Sequence, residues 1–583
     1  MSPHPSSALR SGATAAPLWA AALLPALLAF NQPPSPTLFN QLAAVGCWGL
    51  VLVMLAGAQA AGVAVGARRS AALQAALALV CASVLWSWGG GVLPSGLALS
   101  ALGLLVMVMA LALAGSVVPA SGVLMSAFFA AWLLAGALSS LIAIVQVFAP
   151  TWPDGDWIAR STLPGRAVGN LRQPNHLSSL LLWSAVAVVP LLETQRLRRG
   201  LAVALFALMV LGITLSGSRT GWVGVGVLAL WGLFDRRLTR FSRGLLLAAP
   251  LLCAASWGLL AWWSSHGSEH ALGAAARLGE GDISSSRFAI WRDALALIAR
   301  HPWLGVGFGE FNFAWTLTPF PHRPTAFFDH THNLPLQLAV ELGLPLAAAA
   351  LMLLAVALWQ AARRAWAAPG VEGAGLRAAF VMVLMMALHS QLEYPLWYAY
   401  FLLPTAFVWG LCLGARPRDE GALEGVVPRA NRVLLLGGIG MVMTAGVVLV
   451  DYLRVVAIFS PPQGAAPLEQ RITEGRRSWF FAHHADYAAA TTADEPAEVM
   501  SAFDRAPHYL LDTRLMVAWA RALAEQGDVE RARHIAARLR EFRNPNAKEF
   551  FAECDEAGIP AEARPFQCTP PTPAMDWRDF RRR

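Results

Sequence analysis

Lysine is nearly missing from this chain: of its 44 basic residues, Lys548 is the single lysine and all others are arginine. Charge of either sign is scarce, at 14% of residues, against 56% hydrophobic, and the mean hydropathy is +0.50 over 583 residues. A water-soluble chain of that length would need far more charge on its surface, so this composition excludes a soluble protein and points to a polytopic membrane protein. A lysine-bearing phosphate loop is excluded as well. Gly305, Gly307 and Gly309 have no strand before them and no Lys-Ser/Thr after them, and read as a flexible turn. Neither a helical His-x-x-x-His pair nor a Cys-x-x-Cys accompanies His330 and His332, so no metal is expected, and no cofactor. The apolar runs carry almost no ionisable residues and show no internal repeat, which argues against a transporter. Cysteine is sparse too. Cys47, Cys81, Cys253 and Cys412 lie in apolar runs and read as small buried side chains, whereas Cys554 and Cys568 sit in the polar tail and can pair in an oxidising compartment.

What is present is a series of apolar runs of membrane-spanning length, about 20 residues each. They fall near 16–31, 40–63, 70–88, 94–115, 122–148, 175–192, 201–215, 220–234, 244–263, 333–358, 376–390, 396–414 and 433–452. The fold class expected is therefore all-α, with about 13 transmembrane helices, and no cleavable leader is expected at the first run. The net charge of +8 does not call for nucleic acid, because the arginines occupy short connections. Alternate connections hold Arg68 and Arg69; Arg196, Arg198 and Arg199; Arg236, Arg237, Arg240 and Arg243; Arg363, Arg364 and Arg377; Arg416, Arg418, Arg429 and Arg432. The intervening hairpins 32–37, 89–93 and 391–395 hold none. The positive-inside rule then puts the amino terminus in the cytoplasm and the tail outside. Three regions follow: 1–164, an amino-terminal set of helices; 165–452, a membrane region with a long outer loop at 264–332; and 453–583, an outer helical tail.

Every polar-rich connection falls on the outer side. Those connections carry arginines that orientation does not require: Arg160, Arg166, Arg172, Arg219, Arg277, Arg287, Arg292, Arg300 and Arg323. Singly they read as solvated or salt-bridged residues; as a set they suggest an anion site. In the long loop, Ser284-Ser285-Ser286 offers an N-cap, which would put Arg287 in the first turn of a helix. Phe288, Trp291, Leu295 and Ile298 share a face at helical spacing, as in a helix lying along the membrane surface. In the tail, Asp512–Gln526 and Asp528–Phe542 read as two amphipathic helices joined at Gly527. They form one tetratricopeptide-like hairpin, which must pack on neighbours to bury its apolar face.

The chemistry is expected around Asp329-His330-Thr331-His332-Asn333, a polar strip at the start of an apolar run. Polar groups there need partners or a wet cavity. An imidazole titrates near neutrality, so His332 suits general-base work; a structural histidine hydrogen-bonded at a helix start is the alternative. Gly169-Asn170-Leu171-Arg172-Gln173-Pro174-Asn175-His176 gathers amides around one cation, able to hold a sugar or a phosphate, or simply to cap the following helix through Asn175. Ser216-Gly217-Ser218-Arg219-Thr220 is a tight outer hairpin. His389-Ser390-Gln391-Leu392-Glu393-Tyr394-Pro395-Leu396-Trp397-Tyr398 is an outer turn, or else part of an interfacial aromatic belt. Arginines would neutralise a diphosphate leaving group while His332 takes a proton from an attacking hydroxyl. An outer face without ATP needs a donor already activated and membrane-borne, which a polyprenyl-diphosphate-linked sugar provides.

These segments resemble the O-antigen ligase and polymerase superfamily, and most closely the bacterial protein O-oligosaccharyltransferases of the PglL and PilO type. Ser286-Arg287 with Trp291, His301-Pro302-Trp303-Leu304-Gly305-Val306-Gly307, and His332-Asn333 with Gly343 add to the likeness, which runs from about 165 to 583. The resemblance implies transfer of a preassembled oligosaccharide from undecaprenyl diphosphate to Ser/Thr hydroxyls of periplasmic or pilin-like proteins, without a metal, in the bacterial inner membrane. It implies His332 as the catalytic residue and Arg219 and Arg287 as diphosphate ligands, with Gln173 and Tyr398 in the working site. Arg172, Asn175, His176, His330, Asn333, Glu393 and Tyr394 complete the expected binding set. Two other readings stand beside it: a ligase onto lipid A core or a glycan polymerase, and a non-enzymatic flippase for the same lipid.

Overall fold

The structure is a computed structural model describing residues 15–57, 63–118, 122–266, 282–415, 431–555 and 564–581, with the side chains of 63, 282–286 and 555 left undescribed. Among these residues the chain is helical, with no strand. Ten helices are long and apolar enough to cross a membrane, and Ala16–Leu27, Arg219–Phe234 and Ala399–Gly414 are shorter apolar helices. Each of the thirteen spans read from the sequence corresponds to one of these helices. This is an all-α, multi-pass membrane protein. Arg277, Arg416, Arg418 and Arg429 lie outside the described residues.

The chain divides into two compact units: Met1–Ala75, Val106–Glu280 and Leu353–Leu449 make one, and Ala76–Leu105, Gly281–Met352 and Val450–Arg583 the other.

The first unit is built around the helix Pro174–Glu193, which is buried over nearly its whole length. Such a helix must be apolar all round, yet lipid supplies no hydrophobic drive to press helices together, so close packing depends on small residues. Ser178, Ser179, Ser184, Ala185 and Ala187 provide them. The neighbouring Gly122–Phe148 helix approaches so closely that a Cβ on Gly136 would collide with Ser184, whose hydroxyl donates to the Trp132 carbonyl at 2.7 Å. Helices Arg199–Ser216, Arg219–Phe234 and Gly370–His389 pack around the same core.

In the second unit the apolar run expected at 333–358 is not one rod. It breaks into Leu334–Leu342 and Leu344–Ala367 at Gly343, whose φ of 77° and ψ of 162° suit glycine alone. The break is occupied by the Trp303–Gly307 turn. Leu344 N–H donates to the Pro302 carbonyl at 2.7 Å, Val306 N–H to Val340 at 2.9 Å and Gly307 N–H to Glu341 at 3.0 Å. The glycine-rich segment is therefore a tied bracket, not the flexible turn its composition suggests: Gly305, Gly307 and Gly309 all have positive φ because the chain is folded against a helix end.

The loop helix is Asp282–Arg300, longer than expected, so Arg287 lies in its second turn, not its first. Ile290, Ala294, Leu297 and Ile298 are buried against the protein, while Phe288 and Leu295 of the face read as lying along the membrane surface are exposed. The face turned inward packs on the protein, and Asp293 within it accepts a hydrogen bond from Trp315 Nε1 at 3.1 Å.

The tail hairpin is present as Thr513–Glu525 and Val529–Phe542, capped by Asp512 and Asp528 and joined through Gly527 at φ 84°. Its apolar face is buried against the Phe311–Leu317 helix and its flanks. Leu511 N–H donates to Asn312 Oδ1 at 2.8 Å, and His534 Nε2 donates to the Leu317 carbonyl at 2.8 Å. Arg323, one of the loop cations, is buried here among Trp315, Phe320 and Phe542 and pairs with Glu541 at 3.1 Å. It serves packing, not anion binding. Cys554 and Cys568 form a disulfide.

Candidate functional site

In the first unit three separate connections are tied together by one side chain. Asn175 Nδ2 donates to Glu393 Oε1 at 2.9 Å, and Asn175 Oδ1 accepts from Ser218 Oγ at 2.6 Å. The 169–176 loop, the 216–219 hairpin and the 389–398 turn are thereby held in one constellation. Asn175 is free for this because it is not the helix cap. Gln173 is the cap, accepting from His176 N–H at 2.8 Å, and Pro174 fills the first helical position. Ser218 caps the Arg219–Phe234 helix in turn, accepting from Gly221 N–H at 3.1 Å and placing Arg219 in the first turn.

His176 is fully buried behind this amide. Its Nδ1 shares a hydrogen bond with the Tyr400 hydroxyl at 2.9 Å, and its ring meets Tyr398 edge-on at 4.4 Å between centroids. Tyr398 also lies near Tyr394, at 5.8 Å. One helical turn deeper, Ser179 Oγ and His389 Nδ1 are 2.7 Å apart. Arg172 occupies the left-handed region at φ 58°, unusual for a residue with a Cβ, and donates from Nη2 to the Ala29 carbonyl at 2.8 Å. Its Nε is buried without a partner among the described residues. A strained backbone carrying an unspent buried donor is a common mark of a ligand site. Gln146, in the last turn of the apolar Gly122–Phe148 helix, supports the loop. Its Oε1 accepts from Val168 and Gly169 N–H at 2.9 and 2.8 Å, and its Nε2 donates to Ala159 and Gly169 carbonyls.

The histidine strip belongs to the second unit. His330 pairs with Asp329, and its ring lies 4.3 Å from that of His332 between centroids. His332 has φ 56°, a second left-handed residue with a Cβ, and Phe328 meets its ring edge-on at 5.3 Å. Asn333 caps the Leu334–Leu342 helix by accepting from Leu336 N–H at 2.9 Å. Thr331 N–H donates to Gln337 Oε1 at 2.7 Å, and Gln337 Nε2 donates to buried Glu341 at 2.9 Å. On the other side Trp291 Nε1 donates to the Thr331 carbonyl at 2.9 Å, so the helix carrying Arg287 is tied to the strip.

Sequence reasoning passed over Gln146, Ser179, Tyr400, Gln337 and Glu341. The signal for three of them was available: Gln146, Gln337 and Glu341 are polar residues inside apolar runs, and such residues need partners.

With this geometry in hand, three stretches match known families. Residues 204–351 match the O-antigen ligases, 377–553 the carboxy-terminal part of virulence-factor membrane-bound polymerases, and 167–192 the protein glycosylation ligases. The chain resembles the protein O-oligosaccharyltransferases of the O-antigen ligase superfamily. Two relatives of this ligase-like chain, both from Acinetobacter baylyi, carry that name. A general O-oligosaccharyltransferase is 28% identical over 324 residues, 52% of each chain. A ComP-specific O-oligosaccharyltransferase is 26% identical over 285 residues, 47% of each. The ligase-like chain thus spans about half the length of the curated relatives it matches. The 167–192 match covers Arg172, Gln173, Asn175 and His176, and the ligase match covers Arg219, Arg287, His330, His332 and Asn333.

Proposed function

We propose that this protein is a glycosyltransferase that moves a preassembled oligosaccharide from undecaprenyl diphosphate to serine or threonine hydroxyls of periplasmic or pilin-like proteins. The observation carrying this reading is the Asn175 tie, which organises a cation, amides, a carboxylate and tyrosines from three connections into one polar constellation. The naming of both relatives as O-oligosaccharyltransferases supports a protein acceptor.

In the reaction, the acceptor hydroxyl oxygen bonds to the anomeric carbon as the bond from that carbon to phosphate oxygen breaks. The electron pair of the broken bond leaves on undecaprenyl diphosphate. His332 takes the hydroxyl proton, with His330 and Asn333 setting its position, and Arg172, Arg219 and Arg287 neutralise the diphosphate. Gln173, Asn175, His176, Glu393, Tyr394 and Tyr398 bind the donor or hold those that do. No metal enters this scheme. The working face and the tail are periplasmic, in the bacterial inner membrane with the amino terminus in the cytoplasm. The alternation of arginine-bearing connections supports this orientation, as does the tail disulfide, a bond that persists in oxidising compartments.

The test is reconstitution. Purified protein in detergent, given lipid-linked oligosaccharide and a candidate pilin, should add one glycan mass to the pilin, read by intact mass. His332→Ala should lower the rate by about 100-fold or more, the scale of a lost general base. Full activity in that variant removes His332 from the chemistry. Transfer to lipid A core in place of pilin would move the protein to the ligase reading.

A further inference from the structure

The loop that precedes Arg172 holds a cavity of about 390 Å³, lined by Gln146, Pro150, Thr151, Pro153, Arg160 and Ser161, with Leu163, Pro164 and Gly165 completing the wall. Ligand sites run from about 300 Å³ upward, so this one is large enough for a small polar group such as a sugar unit. Its walls are pre-organised. Asp154 Oδ1 accepts from the N–H groups of Asp156, Trp157 and Ile158 at 3.0, 2.9 and 3.2 Å, which fixes the turn. Asn170 accepts from Ala159 N–H at 3.0 Å and donates to the Trp157 carbonyl at 3.0 Å. Gln146 binds the Ala159 carbonyl on one side and the Val168 and Gly169 amides on the other, so the cavity and the Arg172 loop share one support.

What the lining offers is specific. Arg160 spends Nε on the Pro153 carbonyl at 3.1 Å, and its two terminal nitrogens have no partner among the described residues. Thr151 adds a hydroxyl, and three proline rings supply apolar surface. Trp157 in the fixed turn and Trp152 before it are exposed, at 83% and 75%, but neither lines the pocket. Guanidinium donors and a hydroxyl beside apolar proline surface match a sugar, whose edges carry hydroxyls and whose faces carry C–H groups. We infer that this pocket holds a sugar unit of the donor glycan beyond the one that becomes bonded to the acceptor. The inference rests on the glycan-transfer reading and gives that reading a handle on glycan length.

Two measurements on the purified full chain test it. The first is binding of the free reducing oligosaccharide, released from the donor lipid by mild acid and followed by calorimetry; it needs no catalysis. Arg160→Ala should weaken binding about tenfold and Thr151→Val about threefold, the effects of losing a charged and a neutral hydrogen bond. The second is the KM for two donors, the full oligosaccharide on undecaprenyl diphosphate and a single sugar on the same lipid. The variants should raise KM for the long donor and leave kcat and the short donor unchanged. An equal effect on both donors, or no effect on either, overturns the inference. Should wild-type protein bind the free oligosaccharide yet transfer nothing, the pocket stands and the transfer reading falls.

Discussion

At the scale of single residues, the structure gives two amides more specific work than composition suggests. Asn175 reads in sequence as a binding residue or else a helix cap; Gln173 takes the cap, which leaves both ends of the Asn175 amide for Glu393 and Ser218. Removing it in Asn175→Ala should cut transfer about tenfold, because two hydrogen bonds that align three connections are lost together. Asn175→Asp should be worse, since it sets a second carboxylate beside Glu393, and equal activity of all three proteins would remove the tie from the mechanism. Among the tail histidines, burial holds His534 and His484 down to about 4 from an ordinary 6.5. Both are neutral when folded, and the unfolded chain takes up protons more readily below pH 6.5. Their contribution to stability is therefore complete above that pH and is lost progressively as pH falls towards 4. Protection factors of the Val529–Phe542 amides in the intact protein, corrected for the intrinsic pH dependence of exchange, should fall over that interval, and His534→Gln should flatten part of the trend.

At the scale of elements, thirteen apolar spans were legible because run length and arginine spacing report membrane crossing directly. The break at Gly343 was not legible. A glycine within a run of leucines and alanines looks like helix filler, and only the Trp303–Gly307 turn lodged against it shows that φ must be positive. Gly343→Ala should lower the melting temperature in detergent by several degrees, because the added Cβ meets the Trp303 carbonyl and the backbone conformation is itself strained. An unchanged melting temperature would mean the break is not enforced. The inward face of Asp282–Arg300 was not legible for a related reason. Helical spacing shows which residues align, but Phe288 and Leu295 compete with Ile290 and Leu297 as the apolar stripe, and packing against Trp315 decides between them.

At the scale of the whole molecule, the sequence marks the polar segments, and even polar supports such as Gln146, but not the residues those supports bind. Gln146 bonds residues 13 and 23 positions away, and Asn175 bonds one 218 positions away, distances over which a sequence carries no local signal. The tail is closed by the Cys554–Cys568 disulfide across 14 residues. Replacing both cysteines by serine should destabilise the tail by about 3 kcal/mol through the unfolded chain's regained freedom. Limited proteolysis of the intact protein should then cut near that loop at a lower temperature; an unaltered cleavage profile would assign the bond no stabilising role.

The three-way attachment at Asn175 also constrains how this molecule can vary. A residue inserted into any one of the three connections displaces the atom that Asn175 must reach, and the remaining two lose register with it. Length changes are tolerable only in pairs or triples, or outside the attached segments altogether. A designer wishing to alter glycan preference should therefore leave those connections at their present lengths and work in residues 150–165, where the chain is anchored from beneath and its rim is open to change.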